Sequence, residues 1–119
     1  MGKAVFNPDH KNVLDQVLLE IPGVASGKMF GYPAYYIRDK LFACLYENGV
    51  GIKVPQGTAD DLVGGHGITY FQPLGRARMR SWIFLERSGS TDYVNDRPLF
   101  MASIEYVSSL VEKRENRKL

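Results

Sequence analysis

The segment from Lys28 to Pro55, KMFGYPAYYIRDKLFACLYENGVGIKVP, has room for three short strands and for little else. Tyr35 and Ile37 alternate with Tyr36 and Arg38. Leu41, Ala43 and Leu45 alternate with Phe42, Cys44 and Tyr46, and Val50, Ile52 and Val54 alternate with Gly51 and Lys53. A period of two is the signature of extended chain. The breaks fall at Arg38-Asp39-Lys40 and Glu47-Asn48-Gly49, and Asn-Gly is a strong hairpin signal because both residues tolerate positive φ. Strands joined this tightly pair antiparallel, since a parallel crossover needs a dozen or more residues.

Helical signals flank this block. Asn7 is a natural cap for a helix opening at Pro8, with Asp9 in its positive first turn. The stripe Val13, Leu14, Val17, Leu18 and Ile21 keeps helical spacing up to the Pro22-Gly23 break. After Pro55-Gln56-Gly57, Thr58 and Asp61 have capping-box spacing for a short helix through Val63, stopped by Gly64-Gly65-His66-Gly67. Ile68 to Phe71 and Met79 to Leu85 read as two more strands around the loop from Gln72 to Ala77. Trp82 and Phe84 fall on one face of the second, with Ser81, Ile83 and Leu85 on the other.

Arg87 to Asn95 is polar and turn-rich. Asp96 then caps a last helix with the stripe Phe100, Ile104, Val107, Leu110 and Val111, and the charged end from Lys113 to Leu119 is expected to fray. The order predicts an α+β fold: a mostly antiparallel five-stranded sheet, terminal helices over one face, and a short middle helix. A single domain over residues 1–112 is expected, followed by a charged tail over 113–119.

A chain of 119 residues is one domain by size and buries about two-thirds of its unfolded surface. An apolar fraction of 45% and a charged fraction of 24% are those of an ordinary soluble protein. No apolar run approaches the roughly 18 residues of a spanning helix. The start MGKAVFNPDHKN lacks the apolar core of a secretory signal, and Phe6 breaks the myristoylation pattern. The one cysteine, Cys44, cannot form an internal disulfide, which places the protein in a reducing cytoplasm.

Read in order, Gly27-Lys28-Met29-Phe30-Gly31, Asp39-Lys40-Leu41-Phe42-Ala43 and Gly51-Ile52-Lys53-Val54 resemble the N-terminal domain of TfoX-type proteins. Tyr70-Phe71 and Arg78-Met79-Arg80-Ser81-Trp82, followed by a C-terminal helix, fit the same pattern, which spans about Pro22 to Val111. The resemblance implies a small α+β domain of YjbR and secretion-chaperone-like shape with no known enzymatic chemistry. It departs from the family where Gly31-Tyr32-Pro33 replaces the usual Gly-Gly, and where Arg38-Asp39-Lys40 replaces the usual Asp-Gly turn. The C-terminal helical domain of full-length competence regulators has no counterpart in these residues.

A net charge of +2 is too small for a general polyanion binder, so the distribution carries the argument. Arg76, Arg78 and Arg80 alternate along an extended segment as a comb of guanidinium forks that suits phosphates, with Lys53 as a further cation. Aromatic residues near the comb could stack on bases. Among the aromatics, Tyr32, Tyr35, Tyr36 and Trp82 are candidates for an interface, because two long helices leave part of the sheet uncovered.

Catalytic patterns are missing. His10 and His66 have no ligand partner at metal spacing, and the glycine loop lacks the Lys-Ser/Thr pair of a phosphate loop. Asp60 and Asp61 diverge on a helix, and Ser81 lacks a nucleophile elbow. No cofactor, metal or membrane is expected. The leading expectation is a non-enzymatic regulatory or adaptor protein acting through protein–protein contacts, self-association included. The second is anion or nucleic-acid binding through Arg76, Arg78, Arg80 and Lys53, and the third is a small-molecule pocket.

Overall fold

The structure, a computed structural model, describes residues 5–73 and 79–117. Helix α1 (Pro8–Leu18) starts as its sequence dictates, with Asn7 accepting a hydrogen bond from the Asp9 amide at 2.9 Å. Leu14, Val17, Leu18 and, just beyond, Ile21 are its buried stripe. Six strands follow: β1 (Val24–Met29), β2 (Tyr32–Ile37), β3 (Lys40–Tyr46), β4 (Gly49–Lys53), β5 (Ile68–Phe71) and β6 (Met79–Glu86). Helix α2 (Gln56–Leu62) lies between β4 and β5, and a 3₁₀ helix (Ser90–Asp96) leads into α3 (Arg97–Arg117).

The strands form one antiparallel sheet in the order β1-β2-β3-β4-β6-β5. The α+β class is as expected, with one strand more than the five predicted. The additional strand, β1, reads VASGKM and is largely exposed, so it carries little propensity or alternation of its own. Its pairing with β2, from Val24 opposite Ile37 to Met29 opposite Tyr32, creates it.

Two turns place both central residues at positive φ: Phe30 (50°) with Gly31 (85°), and Arg38 (51°) with Asp39 (65°). The β3–β4 turn differs from expectation. Its central residues are Glu47 (φ 51°) and Asn48, and Gly49 is already a strand residue opposite Tyr46. Gly49 is small for steric reasons, since a β-carbon there would stand 2.5 Å from Cζ of Phe84.

Between Tyr35 and Tyr36 the β2–β3 register slips by one residue. Phe42 is the extra residue of this bulge, and it packs with Ala43 and Leu45 on one face, leaving Leu41 with Cys44 and Tyr46 on the other. This corrects the expected alternation, because an unpaired residue reverses strand parity. The Ser103 hydroxyl of α3 donates to the Phe42 carbonyl at 3.3 Å, tying the helix to the bulge.

Three helix ends and one cap also differ from expectation. The α1 helix ends at Leu18, with Leu19 as its C-cap, ahead of the expected Pro22-Gly23 break. The α2 helix begins at Gln56 behind Pro55, with no side-chain cap, so Thr58 and Asp61 lie inside it. Asp96 precedes α3, yet both its carboxylate oxygens are bonded to Arg87. The α3 helix runs to Arg117, past the expected fraying point, through charged residues of good helix propensity.

The main core lies between the helices and one sheet face. Leu14, Leu18, Phe100 and Ile104 meet Tyr35, Phe42, Leu45, Val50, Ile52, Ile83 and Leu85 there. A second cluster occupies the opposite face.

Candidate binding surface on the uncovered sheet face

On the face away from the helices, strand alternation brings Tyr32 (β2), Tyr46 (β3), Phe71 (β5), and Trp82 and Phe84 (β6) together. Tyr32 contacts Tyr46 at 5.0 Å between centroids, and Tyr46 meets Phe71 edge-on at 5.6 Å. Phe71 stacks on Phe84 at 5.5 Å with planes 8° apart, and touches Trp82 at 5.9 Å. Offset and edge-on pairs of this kind each add about 0.5–1.5 kcal/mol beyond area burial. They form an apolar layer that no helix packs over among the described residues, with Phe71 and Trp82 buried within it.

A cleft of about 110 Å³ opens in this layer. Met29, Phe30, Tyr32, Leu41, Met79 and Trp82 surround it, with Cys44 among the buried residues beneath. Burial alone pushes the Cys44 thiol up to about 12, so at neutral pH it is an uncharged apolar wall. Phe30 projects from the β1–β2 turn with 76% of its surface exposed.

Tyr32, Tyr36 and Trp82 occupy this face, half-buried or buried; Tyr32 and Trp82 line the cleft, and Tyr36 packs against the cluster beside it. The Tyr36 ring lies over Gly27, and its hydroxyl donates to the Lys28 carbonyl at 2.8 Å. Tyr35 does not belong to the site. It points into the helix side, 1% exposed, and donates to Asp15 Oδ1 at 2.6 Å. Burial, then the Asp15 hydrogen bond, pushes its hydroxyl pKa far up. Adjacent strand residues face opposite ways, so Tyr35 and Tyr36 could not share a surface.

Met29, Phe30 and Met79 enter the sequence reading only within the motifs of the resemblance and are not among its candidate site residues. The local signal for Phe30 is an aromatic residue before Gly31 where a hairpin tip usually carries Asn or Asp. Arg76 and Arg78 lie outside the described residues. Arg80 is exposed on β6, and Lys53 is half-buried at the end of β4, opposite Trp82.

A polar cluster sits at the other end of the sheet. Arg87 binds Asp96 through two hydrogen bonds of 2.8 and 2.7 Å, with side-chain exposures of 10% and 9%, and also donates to the His66 carbonyl. The buried His10 shares a 2.9 Å hydrogen bond between Nδ1 and the Tyr93 hydroxyl. Burial lowers the His10 pKa and Asp9 partly opposes this; burial also raises the Tyr93 hydroxyl strongly. These groups satisfy one another and link α1, β6 and the 3₁₀ helix, which makes the cluster a fastening. Among the described residues, no group of three or more His, Cys, Asp or Glu side chains could hold a metal ion, and no helix is long and apolar enough to cross a membrane.

Fold and surface together define a small α+β domain built on one antiparallel sheet, with helices over one face and aromatic rings on the other. No family model, curated protein or solved structure matches the chain.

Proposed function

We propose that the protein is a non-enzymatic adaptor or regulatory domain of the cytoplasm, which holds a partner polypeptide on the uncovered sheet face. One bulky apolar side chain of the partner enters the cleft beside Phe30. The observation that carries this reading is Phe30 itself, a large aromatic residue at φ 50° with 76% of its surface in solvent. Holding a bulky residue in that region costs on the order of 1–3 kcal/mol, and an exposed ring returns little of it to folding. A partner that covers the ring gives the cost a use.

The cleft supports the same choice. At about 110 Å³ it is smaller than the roughly 300–1,000 Å³ of small-molecule sites, and it suits a single side chain acting as an anchor. The resemblance to the TfoX N-terminal domain remains part of the proposal. Its Gly27-to-Gly31, Asp39-to-Ala43 and Gly51-to-Val54 motifs fall in order along β1 to β4, and the first of them contains Phe30.

Selection from a random peptide library tests this reading. Enriched peptides should share one bulky apolar position and lose binding to Phe30→Asn and Met79→Asp. No enrichment, or enrichment that both variants leave intact, overturns it. Sedimentation velocity separates a second copy from a foreign partner, because self-docking gives a dimer that the same substitutions dissolve.

A further inference from the structure

Lys40 at the start of β3, Lys53 at the end of β4 and Lys113 near the end of α3 gather around one groove of about 400 Å³. Its remaining described walls are apolar: Leu41 and Trp82 from the sheet, and Val107, Leu110 and Val111 from α3. None of the three lysines forms an ion pair with a described residue. The adjacent carboxylate on α3, Glu112, is paired with Arg38 at 3.5 Å. Three separate parts of the chain thus bring lysines to the edge of an apolar channel, and none of them is held in an ion pair by a described carboxylate.

We propose that this groove binds an amphipathic anion, with one carboxylate or phosphate head among the lysines and an apolar tail along Trp82, Leu110 and Val111. The volume lies within the range of about 300–1,000 Å³ typical of small-ligand sites. An ammonium is a compact point charge on a flexible stem, which suits a single anionic head better than the planar recognition an arginine gives. The site goes beyond the polypeptide-binding cleft; among the described residues the two share only Leu41 and Trp82 as walls.

Trp82, the one tryptophan of the chain, reports directly on occupancy. The full chain is titrated with decanoate, decyl phosphate and neutral decanol while Trp82 emission is followed. The expected result is a saturable change with at least one anion, at concentrations at least about tenfold below those needed for decanol. Each of Lys40→Ala, Lys53→Ala and Lys113→Ala should weaken anion binding about two- to fivefold, and added salt should weaken it further. Phe30→Asn should leave it unchanged, which separates this site from the cleft. Circular dichroism confirms that the variants are folded. The proposal is overturned if neither anion gives a saturable change, if decanol binds equally well, or if the triple lysine variant binds the anions as the parent does.

Discussion

The ring of Phe71 occupies the space above Gly51, two strands away, so that a β-carbon on Gly51 would stand 2.5 Å from Phe71 Cδ2. Phe84 stands over Gly49 in the same way, and the two rings stack. The glycines of β4 are therefore the floor of the aromatic layer. An aromatic ring over a strand glycine compensates for the glycine's weak intrinsic strand preference.

Gly51→Ala should consequently lower stability by about 1–3 kcal/mol through overpacking. Combined with Phe71→Ala, which removes the obstructing ring, its cost should largely vanish, so the double variant loses less than the two single losses together. Urea unfolding of the four proteins measures this. Additive losses would show that the ring and the glycine do not interact.

The bidentate pair of Arg87 and Asp96 gives a second expectation. Asp96→Ala leaves a buried guanidinium without its partner and should cost about 3–5 kcal/mol. Replacing both residues by apolar ones of similar size, Arg87→Met with Asp96→Leu, should recover most of that loss. Thermal or urea unfolding distinguishes this outcome from a double variant as unstable as Asp96→Ala.

His10 makes stability depend on pH. Burial against Tyr93 holds its folded pKa below the ordinary 6.5, with Asp9 opposing and the Arg87–Asp96 pair nearby. The unfolded chain therefore binds a proton at a higher pH than the folded one. Stability contributed by neutral His10 is complete above about pH 6.5 and is lost as pH falls toward the folded value, by at most about 1.4 kcal/mol per pH unit. His10→Gln should flatten this part of the profile in melts between pH 7.5 and 5. An unchanged slope would assign the pH dependence to other groups.

Much of this architecture is legible in the residues. The Asn7-Pro8 start of α1, the β2 to β4 meander, the Arg38-Asp39 turn and the division of β6 into a Trp82 face and an Ile83 face follow from local patterning. What is not legible depends on the neighbour. Val24–Met29 becomes a strand because β2 offers a partner, and Phe42 changes face because one residue goes unpaired. Gly49 imitates a turn glycine but answers to Phe84. The candidate surface divides the same way. Strand parity separates Tyr35 from Tyr36, whereas the helices decide which of them is covered. Phe30 has no periodic signal at all, since a turn tip belongs to neither face.

The decisive measurement is the affinity of a library-selected peptide for Phe30→Asn, taken together with that variant's unfolding free energy. Asparagine accepts positive φ more readily than phenylalanine, so the variant should be more stable by about 1 kcal/mol and should lose peptide binding. Tyr35→Phe, which removes only the donor to Asp15 on the helix side, should cost about 1 kcal/mol and bind normally. A Phe30→Asn protein that is stable and still binds the peptide at the parent's affinity would contradict the assignment of the uncovered sheet face as the docking site.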